Sequence, residues 1–271
     1  MPPFDRATAL QPAGEDRLAL AFDRAWWGGV GPHGGYLAGL LARAAIAVAD
    51  PALTLRSLGL HYLDRGLEGP AEIEHRTIRQ TRTSQTVQLT LLQDQKPLVL
   101  AVAGLSPPRH GPELTDHPMP DVPPATQVPV TRFAEHMDPP PAFSDHFELR
   151  QCLGPAPFTE ADHALTGGWL RFIDEQPLDA PRAAAMMDTW WPCLWGRLAV
   201  LPRMPTLDLT IHFRRSLPAT SAPVLASFRS RLSVDGYADE EGELWSADGE
   251  LLVQSRQLAA VVGATAPRPG P

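Results

Sequence analysis

Gly59-Leu60-His61-Tyr62 and Thr210-Ile211-His212-Phe213 stand in segments that run alike for dozens of residues, so the chain reads as one module written twice. After the first stretch come alternating runs at Ala71-Glu72-Ile73-Glu74-His75 and Thr86-Val87-Gln88-Leu89-Thr90-Leu91, a turn at Asp94-Gln95-Lys96-Pro97 and an apolar strand over 98–103. The second stretch is followed by the same order: Val224-Leu225-Ala226-Ser227-Phe228, Gly242-Glu243-Leu244-Trp245, a turn at Asp248-Gly249 and a strand over 251–262. Each copy also opens with a glycine pair, Gly34-Gly35 or Gly167-Gly168, and carries one Ala-rich helical stretch, 36–49 or 180–200.

In the first helical stretch Leu37, Leu40, Leu41, Ala44, Ala45 and Val48 fall at spacings of three and four, and the small residues widen the apolar face almost all round. A helix apolar on most sides is buried. The second stretch has a similar face in Ala183, Met186, Met187, Trp190, Trp191 and Leu194, with Asp188 in the middle of it. The strands alternate apolar and polar residues, the pattern of an antiparallel sheet with one face on a helix. A buried helix wrapped by such a sheet is a hotdog module. The expected class is α+β, a double hotdog with an N-terminal module at 1–106, a connector at 107–145 and a C-terminal module at 146–271.

The connector is where the 30 prolines concentrate, with Pro107-Pro108, Pro123-Pro124 and Pro139-Pro140-Pro141. Proline has no amide hydrogen for a helix or a ladder, so this segment is extended. Phe133, Phe143, Phe147 and Leu149 give it apolar anchors, which predicts an ordered strap, and Phe147-Glu148-Leu149-Arg150 begins the second module's first strand.

At 271 residues with 44% apolar and 20% charged residues, the chain is long enough to bury a sizeable core. Its net charge of -8, with Lys96 the only lysine, argues against nucleic acid or an anionic membrane as partner. Cys152 and Cys193 have neither disulfide-framework nor metal spacing, so they are read as reduced thiols of a cytoplasmic protein. The N-terminal residues lack the apolar core of a signal peptide, and no run approaches the ~20 apolar residues of a membrane span. No metal site and no cofactor is expected.

Two motifs mislead. Gly29-Val30-Gly31-Pro32-His33-Gly34 matches a dinucleotide-binding fingerprint with Asp50 beyond it. Asp50, however, ends a helix before any strand has begun, whereas that fold needs its acid at the end of a second parallel strand. The nine histidines form no H-E-x-x-H, and no serine sits in a G-x-S-x-G elbow. His61 and His212, at matching positions in the two copies, read as structural residues that pack or bond the backbone. His33, in the loop before the first helix, is the histidine better placed for function.

Asp188, Thr206 and Gln257 break the repetition. The first copy has Ala103 at about the position of Gln257 and Leu55 at about that of Thr206. A carboxylate in an apolar helix face costs several kcal/mol unless it is hydrogen-bonded or paired. One carboxylate, one hydroxyl and one amide can hold a water from three sides, the carboxylate taking its proton while the others aim its lone pair. Such a set, without a strong nucleophile, suits an electrophile already activated, such as a thioester.

With these residues the chain resembles the acyl-CoA thioesterase II family, the TesB-like double hotdog hydrolases, over residues 27–262. The resemblance is carried by Gly31-Pro32-His33-Gly34-Gly35-Tyr36-Leu37, by Met204-Pro205-Thr206-Leu207-Asp208, and by Gly242-Glu243-Leu244-Trp245 with Asp248-Gly249 and Ser255-Arg256-Gln257. It implies hydrolysis of an acyl-CoA to free acid and CoA, with Asp188 as general base and Thr206 and Gln257 orienting the water. It also implies a homo-oligomer. Leu209 stands where better-known members have His, and Leu258-Ala259 where they have Glu-Gly, departures that bear on the shape of the acyl pocket.

Around this set His33, Gly34 and Gly35 are expected to bind substrate, with backbone amides there or at the second helix serving the oxyanion. Trp190 packs the core or lines the acyl tunnel, and Arg214 and Arg215 reach CoA phosphates or are simply solvated. Two other functions stay open at this point: an enoyl-CoA hydratase or dehydratase using His33, and a catalytically silent acyl-CoA-binding protein. Asp188 itself has a bland alternative, a helix-internal acid that bonds Thr189 or nearby backbone and only stabilises the fold. On the leading reading, the N-terminal module is scaffold and tunnel wall.

Overall fold

A computed structural model describes residues 1–263. Its strands are β1 (Gln11–Pro12), β2 (Arg17–Phe22), β3 (Thr54–Tyr62), β4 (Gly69–Thr81), β5 (Ser84–Gln93), β6 (Lys96–Ser106), β7 (Phe147–Leu153), β8 (Ala164–Phe172), β9 (Thr206–Phe213), β10 (Val224–Ser230), β11 (Ser233–Val234), β12 (Tyr237–Trp245) and β13 (Leu251–Ala260). The helices are α1 (Pro3–Ala7), α2 (Gly34–Ala47) and α3 (Ala180–Met186). All strands belong to one antiparallel sheet, ordered β1-β2-β4-β5-β6-β3-β9-β13-β12-β10-β8-β7, with β11 paired to β12.

The duplication is written into the register. The two half-sheets join where β3 meets β9, the strands that carry the two opening stretches. Ser57 pairs His212, Gly59 pairs Thr210 and His61 pairs Asp208, a pattern symmetric about Gly59 and Thr210. Each half then repeats one irregularity. Between β3 and β6, Leu55 pairs Leu105 and Ser57 pairs Gly104, leaving Arg56 as an extra residue. Between β9 and β13, Thr206 pairs Ala259 and Asp208 pairs Leu258, leaving Leu207 extra. Such a bulge reverses which face the strand's next side chain meets. It puts Leu55 and Thr206 on the inner face of their halves, with Ala103 and Gln257.

His61 and His212 are both exposed, so the packing role expected of them is not theirs. Gly167-Gly168 does not open the second copy, whose first strand is β7. The pair lies inside β8 with φ of 148° and 152°, where a Cβ would meet the carbonyls of Ala226 and Arg150. That close approach of neighbouring strands is what demands glycine.

The helices differ. α2 is 14 residues long and buried almost all round, with Ala38, Leu40, Leu41, Ala42, Ala44 and Ala45 fully inaccessible. α3 is only seven residues long, capped by the Asp179 side chain, which accepts from the Arg182 amide. The helix expected over 180–200 therefore ends early. Met187 and Asp188 form a turn, and Pro192 leads into a short 3-10 helix at Cys193–Arg197. Pro192 disfavours helical backbone at the residue before it and has no amide hydrogen to give. Asp188 is consequently just past the end of α3, not within its apolar face.

Between β6 and β7 the proline-rich segment is ordered as a strap. The Trp169 indole donates to the Pro123 carbonyl at 2.8 Å, and the Thr131 amide donates to Leu149 on β7. Met119, Val122, Ala125 and Val128 cover Trp169, Leu225 and Trp245 on the sheet face turned away from the main core. Phe133 and Phe143 then enter the main core itself.

Candidate active site

α2 and α3 run antiparallel in contact, so the N-terminus of the first copy's helix meets the C-terminal end of the second copy's. Glycines make the contact. A Cβ on Gly39 would lie 2.7 Å from the Pro181 carbonyl, one on Gly35 would lie 2.4 Å from that of Ala185, and one on Gly34 would lie 2.6 Å from Asp188 Oδ2. Asp188 thus projects into the first turn of α2, whose cap residue His33 gives no side-chain hydrogen bond to that turn. The unpaired amides and positive end of the helix favour a carboxylate there.

The neighbours of Asp188 come mostly from the first copy. His33 Nε2 lies 3.4 Å from Oδ2, and the two side chains are only 12% and 16% exposed. The His33 ring stacks on Phe143 of the strap with centroids 3.7 Å apart. Tyr62 donates its hydroxyl to the Gly34 carbonyl at 2.9 Å, and burial and the Asp188 charge hold its own ionisation well above the usual range. Burial also drops His33 to about 3, so the imidazole is neutral at physiological pH and the pair is not an ordinary ion pair. Asp188 is pushed up to about 7 by burial and by the charge of Glu240, against the pull of the Gly35 amide.

On the sheet side, three polar groups line the inner face of adjacent strands. Thr206 donates from its hydroxyl to Gln257 Oε1 at 3.4 Å, and Gln257 Nε2 donates to Glu240 Oε1 at 2.9 Å. Glu240 Oε2 accepts from the Cys193 amide at 2.7 Å. Glu240 is itself raised, first by burial, with the Cys193 and Gln257 hydrogen bonds opposing. The first copy has no such line. By register, Leu58 pairs Ala103 as Leu209 pairs Gln257, and Val87 pairs Ala103 as Glu240 pairs Gln257. Leu55, Val87 and Ala103 are all buried and apolar.

The sequence-predicted residues thus fall in four places. His33, Gly34, Gly35 and Asp188 form one cluster, and Thr206 and Gln257 form another with Glu240, whose charge acts on Asp188. Among the described residues Asp188 has no direct hydrogen bond to Thr206 or Gln257, and Thr189 turns its hydroxyl to the Ala185 carbonyl, not to Asp188. Trp190 is 6% exposed and packs against Trp191, its indole nitrogen without a partner among the described residues. Arg214 and Arg215 are exposed beyond the far end of β9, roughly 25 Å along the strand from Thr206, and Arg215 faces Glu113 and Glu250. Glu240 was not anticipated. Its signal was the inner parity of β12, where Ala238, Glu240, Gly242 and Leu244 alternate with outward residues.

Among the described residues no cluster of His, Cys, Asp and Glu has the makings of a metal site, Cys152 and Cys193 are free, and no helix is long and apolar enough to cross a membrane. A family model described as the acyl-CoA thioesterase C-terminal domain matches residues 114–261, and one described as the acyl-CoA thioesterase N-terminal domain matches residues 23–106. Comparison with curated proteins finds no match. Among solved structures, the chain is similar to a protein of unknown function with a hot dog fold from Alicyclobacillus acidocaldarius, at 27% identity and a TM-score of 0.90, over 97% of this chain and 98% of that one. It shares its fold with the acyl-CoA thioesterase II TesB2 of Mycobacterium marinum, at 19% identity and a TM-score of 0.76, over 98% and 99%. It shares it too with the tesB protein of Mycobacterium avium subs paratuberculosis, at 18% identity and a TM-score of 0.77, over 95% and 97%.

Proposed function

The chain belongs to the acyl-CoA thioesterase family and is a thioester hydrolase; from that premise we propose that Asp188, Thr206 and Gln257 hold the water that attacks an acyl-CoA. The observation that carries this reading is the asymmetry of the two inner faces: Thr206, Gln257 and Glu240 stand where the first copy has Leu55, Ala103 and Val87. The fold is made equally well by the apolar set, so the polar one serves another purpose.

In this mechanism Asp188 takes a proton from the water as its oxygen bonds to the thioester carbonyl carbon. A base near 7 is well matched to that task at neutral pH. The carbonyl becomes a tetrahedral oxyanion, stabilised at the positive N-terminal end of α2, beside the Gly35 amide that Asp188 takes. Collapse of the oxyanion breaks the carbon–sulfur bond, and the CoA thiolate leaves with the proton that Asp188 had taken. Neutral His33 stands beside the Asp188 carboxylate from the first copy, Nε2 3.4 Å from Oδ2. That copy then contributes more than scaffold. The two free cysteines, one of them fully buried, fit a reducing compartment, and the cytoplasm is the proposed location.

The test is release of free CoA thiol from acyl-CoAs of graded chain length by the full chain and by Asp188→Asn. Thiol release by the parent and its loss by a factor of at least about 100 in the variant is expected; equal turnover by both would end the mechanism. The His33–Asp188 contact favours one second reading, hydration of an enoyl-CoA with the two groups moving protons at adjacent carbons. That reaction consumes the double bond and frees no thiol, so the same assay followed by absorbance of the enoyl group separates the two.

A further inference from the structure

Glu240 has no place in the water-holding set, and the fold does not require it. Its counterpart Val87 is fully buried, so an apolar side chain completes the same strand crossing in the first copy. A carboxylate there meets a desolvation penalty that Val87 does not. What it receives in return is specific. One oxygen accepts from Gln257 at 2.9 Å and the other from the Cys193 amide at 2.7 Å.

Only one orientation of the Gln257 amide gives Glu240 a donor. With Nε2 on Glu240, the amide presents Oε1 to the Thr206 hydroxyl, which donates to it at 3.4 Å. The consequence for a water beside these groups is chemical. An acceptor holds water by its hydrogen and leaves a lone pair free for attack, whereas an amide NH₂ turned the same way would occupy that lone pair. Resting on the reading that Asp188, Thr206 and Gln257 act together, we propose that Glu240 is a positioning residue for the hydrolysis, holding the Gln257 amide by its nitrogen so that its Oε1 and not its NH₂ faces the water.

A second effect comes with the first. The Glu240 charge opposes ionisation of Asp188, around which stand neutral His33, the Tyr62 hydroxyl and the Gly35 amide. Glu240 in turn is bonded to Cys193 and Gln257 and feels the charge of Asp239. Removing its charge therefore lets Asp188 ionise at lower pH.

The experiment measures kcat and KM for free-thiol release between pH 5 and 9, using the full chain, the acyl-CoA the parent turns over fastest, and the variants Glu240→Gln, Glu240→Val and Asp188→Asn. Glu240→Val, which installs the first copy's residue, is expected to lower kcat on the order of 10- to 100-fold with KM little changed. Glu240→Gln keeps an acceptor for Gln257 and is expected to retain more of the rate, while the rising limb of its pH profile moves down by on the order of one pH unit. A residue that only capped the Cys193 amide would alter the melting temperature and leave kcat in place. Both variants showing the parent kcat and pH profile, or Glu240→Gln showing an unmoved limb, overturns the proposal. If Glu240→Val does not fold, the Glu240→Gln profile decides alone. An active Asp188→Asn means that the hydrolysis mechanism itself has failed; an inactive Asp188→Asn beside an unaltered Glu240→Gln removes Glu240 only.

Discussion

Gly34 and Asp188 approach so closely that a Cβ on the glycine would stand 2.6 Å from the carboxylate oxygen. One residue belongs to the first copy and the other to the second, so the proposed active site is a product of their packing. Gly34→Ala meets a side chain, which can move, and is expected to leave the protein folded while displacing the carboxylate and lowering kcat. Gly35→Ala meets the Ala185 carbonyl, backbone that cannot yield, and is expected to cost about 1–3 kcal/mol of stability as well. Thermal melts beside thiol-release rates separate the two; equal melting temperatures would contradict the packing argument.

The ionisation of Asp188 links activity to pH. As a general base it must be unprotonated, so kcat is expected to rise with pH up to about 7 and level off above. A flat profile between pH 5 and 9 would exclude Asp188 as the base.

Stability should move the other way. Asp188 is raised from 3.8 to about 7, so between those values the native state binds more protons than the unfolded chain. This group therefore opposes folding progressively as pH rises through that window, by roughly 4 kcal/mol at most above it. Asp188→Asn is expected to gain stability over the parent at pH 8 and little at pH 4, read from urea unfolding at the two values.

Away from the site, Arg182 ties three segments together. It is 4% exposed and contacts Asp5 of α1 at 3.1 Å, Asp174 at 3.5 Å and Asp179 at 3.2 Å, with its guanidinium over Phe4 and Phe172. Asp5 also pairs with Arg43 of α2 at 2.7 Å, so α1 bridges the two central helices. Arg182→Met leaves Asp174, 8% exposed, without its countercharge and is expected to cost about 3 kcal/mol. Denaturant unfolding measures this, and a loss under about 1 kcal/mol would show the network to be dispensable.

Much of this was legible in the sequence because period-two strands and a buried helix leave plain patterns. The equivalences of Leu55 with Thr206 and Ala103 with Gln257, read from the order of segments, are those of the strand register. The end of α3 is masked in the sequence because Trp190, Trp191 and Leu194 keep helical spacing although Pro192 intervenes and the chain has already turned at Met187. Periodicity reports which side chains are buried, not whether the backbone between them is helical. Glu240 stayed hidden because its meaning depends on facing Gln257 across two strands, a relation that alternation alone does not supply. The stacking of Phe143 on His33 joins residues of the strap and the first copy far apart in the chain, and no local pattern announces it.

The central claim is that the second copy's inner face is polar for chemistry and not for folding. Thr206→Leu combined with Gln257→Ala rebuilds the first copy's face at two positions whose counterparts, Leu55 and Ala103, are well packed. The measurement is thiol release by this double variant after its fold is verified by circular dichroism. A folded protein whose kcat has fallen by at least about 100-fold is predicted; a folded protein that hydrolyses acyl-CoA at the parent rate would contradict the account.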